Sequence, residues 1–297
     1  MSYQTDNAVI MAAGISSRFA PLSYEKPKAL MEVKEEILIE RQIRQLLETG
    51  IYEIIVVVGY QKEKFYYLRD KYSVTIVENK EYLVRNNHSS IYAARKYLHN
   101  TYICSADNYF TVNPFEKEVD NAYYAAVFSP GETEEWCLKV NDNDVITEVT
   151  IGGSGQWYML GHVFWSEDFS HRFLQILEKV YDEEETKDKL WEAIYREHIQ
   201  ELPMKIRRYP DSQIYEFDSL DELRLFDSKY MEHSGSRIME KLAKRFGCPE
   251  SAFTNMEPLR DEGKNTVGVL FQYNKKRYEY YYPDEKVTVA ECGRKRI

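Results

Sequence analysis

The chain has 297 residues, of which 43% are hydrophobic and 14% aromatic, and its 49 acidic residues outnumber 39 basic ones. This composition predicts a globular protein with one large or two modest cores. The net charge of −10 argues against a general nucleic-acid surface, because phosphate backbones are bound mainly through accumulated Lys and Arg. The sequence shows neither a signal-peptide pattern nor an apolar run near the roughly 20 residues of a membrane helix, so we expect a cytoplasmic protein without membrane contact.

The cysteines and histidines do not form a metal-binding pattern. The four cysteines, Cys104, Cys137, Cys248 and Cys292, lack CxxC spacing, and the six histidines include no HxxxH pair. We therefore expect reduced, structural thiols and no transition-metal centre.

The first half of the chain alternates apolar, β-branched runs with segments of helical period, which predicts an α/β fold with a mostly parallel sheet. The predicted strands are NAVIMAAG (7–14), EIIVVVGY (53–60), VTIVEN (74–79) and TYICSAD (101–107). The predicted helices are EEILIERQIRQLLETG (35–50), QKEKFYYLRDKY (61–72) and SSIYAARKYL (89–98). Gly50 is the expected C-cap of the first helix.

After residue 120 the pattern changes to consecutive strands, which predicts a mixed or antiparallel extension of the sheet. The strands are AYYAAVFS (122–129), EWCLKVN (135–141), DVITEVTI (144–151) and WYMLGHVFW (157–165). Helices are expected at about 166–181 and 186–199, followed by the strands MKIRRYP and QIYEFDS. Ser219 and Glu222 form a capping box that opens a helix to about residue 230.

The last 65 residues read as a separate, small α+β unit. HSGS (233–236) has linker composition, RIMEKLAKRFG is amphipathic, and two alternating runs flank 274–276 as in a β-hairpin. We therefore predict a main domain at 1–232 and an appended unit at 233–297.

The most informative stretch is VIMAAGISSRFAPLSYEKPKAL, residues 9–30, which we call the signature segment. It follows the first strand, so it lies at the carboxyl edge of the sheet, where ligands bind in α/β folds. Gly14 lets the backbone approach a phosphate, Ser16 and Ser17 add donors, and three cations supply positive charge. Those cations are Arg18, Lys26 and Lys28. The glycines match neither GxGxxG nor GxxxxGK[ST], and on spacing alone a solvated basic loop explains the segment equally well.

The signature segment closely resembles the signature of the nucleotidyltransferases that make NDP-sugars and CDP-alcohols. The resemblance lies in MAAGxSSRFxP followed by EKPKAL. Further segments are most similar to the bacterial choline-phosphate cytidylyltransferases, and the resemblance covers about residues 7–230. These segments are GYQKE (59–63), NNHSSIYAA (86–94), SADNY (105–109), EEWCLKV (134–140) and IYEFDSLDEL (214–223). The resemblance implies a Rossmann-like nucleotidyltransferase fold that transfers CMP from CTP to phosphocholine, with Mg²⁺, giving CDP-choline and pyrophosphate.

The same resemblance implies roles for single residues. Lys28 bridges the attacking phosphate and the α-phosphate, and Arg18 binds the β- and γ-phosphates that leave. Asn87 and Ser90 read the pyrimidine, although a helix cap explains them nearly as well. The other expected nucleotide contacts are Ala12, Ala13, Gly14, Ser16, Ser17 and Lys26.

The expected magnesium ligands are Asp107 and Asp218, each at the end of a predicted strand, because Mg²⁺ prefers oxygen ligands and keeps several waters. Without the resemblance, an Asp after a strand is more often a cap or turn residue. Glu216 alternates with Asp218 on one strand face and is a candidate second carboxylate for the metal or for a substrate cation.

The acceptor pocket is expected to be aromatic and acidic, because a quaternary ammonium donates no hydrogen bonds and binds ring faces and carboxylates instead. The resemblance assigns this cage to Trp136, Asp188 and Trp191, and Tyr215 and Glu216 are further candidates. Trp157 and Trp165 are interpreted as core residues.

The sequence leaves other acceptors and other functions open. His88 and the pair Lys189-Leu190 depart from the pattern of the choline-phosphate relatives, which leaves the acceptor in question. The alternatives are phosphoethanolamine or 2-aminoethylphosphonate, a sugar 1-phosphate, and a non-catalytic nucleotide-binding regulator. A homodimer is also possible.

Residues 254–283 are faintly similar to the first strands of choline-kinase-like N-lobes. The segment brings no kinase catalytic loop, so we expect a structural or oligomerisation module rather than a kinase.

Overall fold

The structure is a computed structural model that describes residues 2–290 apart from 262 and 264. Cys292 lies outside the described residues, while Cys104, Cys137 and Cys248 are free thiols. The chain forms two compact units. Unit 1 contains Met1–Gly14 and Leu38–Glu216, and unit 2 contains Ile15–Ile37 and Phe217–Ile297. This division by compactness differs from the predicted one at residue 232, and the assignment of function to residues 1–232 stays a prediction.

Strands and helices succeed one another along both units. The strands are β1 Tyr3–Gln4, β2 Asn7–Ala12, β3 Glu32–Val33, β4 Glu36–Ile37, β5 Glu53–Val58, β6 Thr75–Glu78, β7 Thr101–Ser105, β8 Asn108–Phe110, β9 Glu118–Val119, β10 Tyr123–Val140, β11 Ile146–Trp165, β12 Lys205–Tyr209, β13 Ile214–Glu216, β14 Thr254–Arg260, β15 Thr266–Tyr273, β16 Lys276–Tyr281 and β17 Val287–Val289. The helices are α1 Leu22–Glu25, α2 Leu38–Glu48, α3 Tyr67–Tyr72, α4 His88–Ala94, α5 Glu167–Val180, α6 Trp191–Glu197, α7 Leu220–Phe226, α8 Lys229–Glu232 and α9 Arg237–Phe246. Short 3-10 turns occur at Ser17–Phe19, Lys28–Leu30, Lys62–Phe65, Arg95–Tyr97, Glu184–Thr186 and Glu250–Ala252.

Unit 1 is built on a mixed sheet in the order β12-β10-β11-β7-β2-β5-β6. The strands β7, β2, β5 and β6 run parallel, while β11 is antiparallel to both β7 and β10. The central strands β2 and β5 are buried almost throughout, as expected for strands covered on both faces. The predicted α/β fold with a mixed, mostly parallel sheet is confirmed.

The four strands predicted between residues 122 and 165 are two long, bent strands, β10 and β11. Their register shifts repeatedly, so that Cys137 pairs with both Thr150 and Tyr158. Gly152 and Gly155 have positive φ angles of 78° and 62°, which only glycine adopts readily, and they bend β11 without ending it. The prediction of separate strands was wrong because bulges and turns use the same residue types.

The helices predicted at 35–50 and 166–181 are present as α2 and α5, while those predicted at 61–72 and 89–98 are the shorter α3 and α4, each next to a 3-10 turn. Gly50 ends α2 with φ of 83°, and the Ser166 hydroxyl caps α5 by accepting from Phe169 N at 3.3 Å. The helix predicted at 186–199 is only α6, because a 3-10 turn and extended residues precede Trp191. Trp165 is fully buried in the core, and Trp157 packs against that core while partly buried.

Unit 2 contains an antiparallel sheet in the order β14-β15-β16-β17. The hairpin expected at 274–276 is present, with positive φ at Asn274 and Lys275 in the turn. The predicted helix is α9, which the Ser236 hydroxyl caps and Gly247 ends in a left-handed conformation. Among the described residues, no helix is long and apolar enough to span a membrane.

Candidate functional site

The end of β2 in unit 1 lies close to the turn after β5. Ala12 and Ala13 are buried, and the Ala13 carbonyl accepts a hydrogen bond from Tyr60 N at 3.1 Å. A Cβ added at Gly59 would lie 2.9 Å from the Ala13 oxygen and 2.7 Å from the Tyr82 ring. A Cβ at Gly14 would meet no described atom within 4 Å. The protein's own packing therefore requires glycine at 59, which sequence reasoning did not single out.

The turn that carries Asp107 is held by helix α2. Gln42 is buried, and its side-chain amide donates to the Ser105 carbonyl at 2.8 Å and to the Asn108 carbonyl at 2.9 Å. Glu216 pairs with Asn108 in the β8–β13 ladder and accepts a hydrogen bond from its amide at 3.2 Å. The partly exposed Asp107 therefore directly precedes the residue that faces Glu216.

Glu192, at the start of α6, is a carboxylate that sequence reasoning missed. Its oxygens accept from the Tyr124 hydroxyl at 3.2 Å and from the Asn87 amide at 3.1 Å. Both donors are neutral, and no Lys, Arg or His among the described residues pairs with it. Burial raises the pKa of Glu192 to about 6. This group carries a charge that the described residues do not neutralise.

The predicted nucleotide contacts Asn87 and Ser90 already make hydrogen bonds within unit 1. The side-chain oxygen Oδ1 of Asn87 accepts from Trp191 N at 2.7 Å, and this side chain makes no capping bond in α4. Ser90 is buried, and its hydroxyl accepts from the Asn79 amide at 3.1 Å. Asn87 thus holds the start of α6 and the Glu192 carboxylate together.

Two further acids, Glu135 and Glu216, act electrostatically on Tyr124, the residue that donates to Glu192. We call Tyr124, Tyr158, Glu135, Glu192 and Glu216 the acidic patch. Burial raises the pKa of Tyr124 well above its usual value, and the charges of Glu192, Glu216 and Glu135 raise it further. The pKa of Tyr158 is raised by burial and then by Glu135 and Glu216. The patch has the negative potential that a cationic ligand requires.

The aromatic residues predicted to form the cage differ in exposure. Trp191 is 1% exposed and stacks on Tyr124, with 5.7 Å between ring centroids and 11° between planes. Trp136 is partly exposed, and the Arg196 guanidinium lies 5.2 Å from its ring centroid. Tyr215 is partly exposed in β13. Trp191 therefore supports Tyr124 from the core, and Trp136 and Tyr215 keep accessible ring area.

Asp188 is exposed at the surface of unit 1, where its backbone carbonyl accepts from the Asn86 amide at 3.0 Å. The assignment of Asp188 to the acceptor cage stays a prediction.

The cations of the signature segment lie in unit 2, in the part we call the cationic loop, residues 15–30. Arg18 is 72% exposed and makes two parallel bonds to Asp218, Nη2 to Oδ1 at 2.8 Å and Nη1 to Oδ2 at 3.0 Å. Asp218 is itself 37% exposed. An exposed ion pair contributes little to stability, so it can break at low cost and leave Arg18 or Asp218 to bind a ligand.

The remaining residues of the cationic loop differ in burial. Lys28 is 5% exposed, with its ammonium 5.1 Å from the Phe19 ring centroid. Lys26 is exposed, and Ser16 and Ser17 are partly exposed, Ser16 with a left-handed φ of 51°. Burial of Lys28 strengthens any interaction of its charge with a phosphate, because the local dielectric constant is low.

Three of these features were not recognised in the sequence: Gly59, Gln42 and Glu192. Gly59 occurs in the quoted GYQKE segment, and the buried face of α2 carries Gln42 where an apolar residue is usual. Glu192 follows Trp191 with no pattern of its own. Within the described parts of the chain, no group of three or more His, Cys, Asp or Glu side chains could hold a metal ion.

Residues 8–186, more than half of the chain, match the model of the MobA-like NTP transferase domain. The chain belongs to this family. The predicted recognition of a nucleotidyltransferase is thereby confirmed, and the protein is an enzyme of that class.

Two curated relatives cover most of the chain. The choline-phosphate cytidylyltransferase of Streptococcus pneumoniae is 34% identical over 217 residues, which are 73% of this chain and 95% of the relative. The 2-aminoethylphosphonate cytidylyltransferase of Lancefieldella rimae is 38% identical over 234 residues, 76% of this chain and 93% of the relative.

Solved structures agree with the fold. The CTP:phosphocholine cytidylyltransferase from Streptococcus pneumoniae superposes with a TM-score of 0.73 at 33% identity, covering 76% of this chain and 99% of that one. The inositol-1-phosphate CTP transferase from T. maritima, at 17% identity, has a TM-score of 0.59, covers 78% of this chain and 99% of its own, and shares the fold. The predicted Rossmann-like nucleotidyltransferase fold is confirmed.

Proposed function

We propose that this protein transfers CMP from CTP to phosphocholine. An oxygen of the acceptor phosphate forms a bond to the α-phosphorus, the bond from that phosphorus to the β-phosphate oxygen breaks, and pyrophosphate leaves. The observation that carries the proposal is the Glu192 carboxylate, which the neutral donors Tyr124 and Asn87 hold and which no cation among the described residues pairs with. Such a group is favourably neutralised by the cationic end of an acceptor.

The acidic patch supports an acceptor that is positive at one end. Trp136 and Tyr215 offer ring faces, and Glu135 and Glu216 add negative charge near Tyr124. A sugar 1-phosphate carries no positive charge, so it can donate hydroxyl hydrogen bonds to the carboxylate but cannot neutralise its charge. The relative from Streptococcus pneumoniae, a choline-phosphate cytidylyltransferase, supports the same choice.

The nucleotide is assigned to the signature segment. Positioning and charge neutralisation supply most of the rate in phosphoryl-type transfers, so cations are the parts required. Lys28 stabilises charge on the α-phosphate, and Arg18 leaves Asp218 to bind the pyrophosphate that departs. The other proposed nucleotide contacts are Ala12, Ala13, Gly14, Ser16, Ser17 and Lys26, with Asn87 and Ser90 proposed for the base.

Magnesium is the proposed cofactor, with Asp107 and Asp218 as predicted ligands. Both side chains are partly exposed carboxylates, and the buried Asn108 Oδ1 next to Asp107 has no hydrogen-bond partner among the described residues. Few protein oxygens fit Mg²⁺, which keeps water and takes phosphate oxygens as ligands. When bound, the ion neutralises triphosphate charge. A cytoplasmic location and a homodimer also stay proposals.

The second candidate acceptor is 2-aminoethylphosphonate. Arg196 lies over the Trp136 ring, which reduces the ring area available to a quaternary ammonium. A primary ammonium can instead donate hydrogen bonds directly to carboxylates such as Glu192. The relative from Lancefieldella rimae favours this acceptor.

Release of pyrophosphate tests these alternatives in one experiment. The enzyme is assayed with each of the four nucleoside triphosphates against phosphocholine, phosphoethanolamine, 2-aminoethylphosphonate and glucose 1-phosphate. We expect the highest kcat/KM with CTP and phosphocholine. A higher kcat/KM with 2-aminoethylphosphonate would identify that compound, rather than phosphocholine, as the acceptor. Pyrophosphate release with glucose 1-phosphate alone would contradict the proposal of a cationic acceptor. Release with none of the acceptors would favour a nucleotide-binding regulator.

A further inference from the structure

The appended C-terminal sheet contributes an arginine to the cationic loop. Arg260 is the last residue of β14, and its Nη2 donates to the Ser17 hydroxyl at 3.1 Å. Both residues belong to unit 2. Ser17 directly precedes Arg18, which the resemblance assigns to the leaving phosphates. A cation from the last quarter of the chain therefore lies beside the predicted phosphate-binding residues.

Among the described residues, no neighbour neutralises the charge of Arg260. Other arginines of unit 2 pair with acids, as Arg277 does with Glu257 and Arg237 with Glu25. No carboxylate among the described residues pairs with Arg260, whose side chain is exposed. A guanidinium has five N–H donors in a fork that fits phosphate oxygens, and one bond to a hydroxyl leaves most of them for a ligand.

The cationic loop is fixed to the C-terminal part of unit 2 at its other end as well. The rings of Tyr24 and Tyr282 stack with centroids 3.9 Å apart, and Arg237 Nε lies 3.6 Å from Glu25 Oε1. Buried Arg224 donates to the carbonyls of Phe253 at 2.7 Å and Glu250 at 2.8 Å, which ties α7 to the segment leading into β14. These contacts order the backbone segments that carry Ser17 and Arg260, and the Arg260 side chain itself meets Ser17 through one exposed hydrogen bond.

We propose that Arg260 is a further phosphate-binding cation of the nucleotide site and contacts the β- and γ-phosphate oxygens of CTP. The Ser17 hydroxyl accepts from Nη2 and keeps its own proton to donate, so both groups serve the same anion. The inference rests on the proposed function. It gives the appended unit a part in catalysis beyond the structural role expected from sequence.

The test uses the full-length chain with Arg260→Ala and Arg260→Gln, and Arg277→Ala as the matched control. Arg277 is an exposed arginine of the same sheet that pairs with Glu257. KM for CTP, KM for phosphocholine and the Kd for magnesium pyrophosphate by calorimetry are measured for each variant. We expect both Arg260 variants to raise KM for CTP and the Kd for pyrophosphate about tenfold or more, with KM for phosphocholine unchanged. The control should match the wild type.

The outcomes separate this inference from the proposed function. Values for Arg260→Ala within twofold of the wild type would overturn the inference, as would wild-type behaviour of Arg260→Gln, which keeps a donor for Ser17 but no charge. Failure of the wild type to bind magnesium pyrophosphate would overturn it too. If the wild type transfers CMP to none of the acceptors, the proposed function fails, while the pyrophosphate Kd still decides the role of Arg260.

Discussion

The acidic patch of unit 1 and the cationic loop of unit 2 handle charge in opposite ways. Glu192 is partly buried, held by neutral donors, and its pKa is raised to about 6 because burial disfavours its charged form. Arg18 and Asp218 are exposed and neutralise each other through two hydrogen bonds. The acidic patch contains a carboxylate whose charge is not compensated, which lowers stability. In unit 2 the charges of Arg18 and Asp218 compensate each other, and breaking this exposed ion pair costs little free energy.

The difference matches the two ligands proposed. An acceptor cation gains most from a carboxylate that has no competing cation. The acidic patch already offers such a carboxylate, Glu192, in the absence of a ligand. A triphosphate brings several negative charges, so under the proposed function we expect it to displace the Asp218 carboxylate from Arg18. Binding selectivity is therefore expected from unit 1, and binding strength for the nucleotide from unit 2.

The largest effect is expected at Lys28. Lys28→Ala should lower kcat about 100 to 1,000-fold, because a donor acting on developing charge is lost from a buried position. Steady-state kinetics measures this, with thermal unfolding to show that the variant folds. The exposed Lys26→Ala is the control and should change kcat less than tenfold. Equal decreases in kcat for the two variants would mean that the burial of Lys28 does not contribute to catalysis.

Arg18→Ala sharpens the comparison within unit 2. Removing one partner of an exposed ion pair should change the free energy of unfolding by less than about 1 kcal/mol. The same change should raise KM for CTP about tenfold, since a phosphate contact is lost. Urea unfolding and initial rates give the two values. A variant that loses stability but keeps its KM would show that Arg18 serves structure alone.

The smallest effect concerns the stability of Glu192. The folded-state pKa, about 6, exceeds the ordinary 4.5, so the folded protein binds more protons between these values and stability falls as pH rises through them. Glu192→Gln should therefore be more stable than the wild type by about 1 to 2 kcal/mol at pH 7.5. The difference should vanish below about pH 4.5. Urea unfolding at both pH values measures it, and a variant that is less stable at pH 7.5 would contradict the raised pKa.

Most of the fold could be predicted from the sequence because local patterns determine it. Apolar runs marked β2, β5 and β7, and caps such as Ser219 and Ser236 marked helix starts. The hairpin β10–β11 could not be predicted, since its bends depend on register shifts that arise only when two strands pair. The short β1–β9 and β3–β4 pairs carry too few residues to show a period.

The candidate site divides in the same way. The signature segment is contiguous, so its cations could be found from sequence. Glu192 and Arg260 could not, because their importance comes from neighbours far along the chain, 68 residues away for Tyr124 and 243 for Ser17. The burial of a residue could not be predicted either: Trp191, which the resemblance assigns to the acceptor cage, is only 1% exposed.

Selection of a cationic acceptor by the Glu192 carboxylate is the claim on which the proposed function depends. It is tested by the ratio of kcat/KM for phosphocholine to that for glucose 1-phosphate, with CTP, in the wild type and in Glu192→Gln. We expect a ratio far above one in the wild type and a fall of at least tenfold in the variant, about 1.4 kcal/mol, with KM for CTP unchanged. A ratio that is the same in both enzymes would contradict the claim.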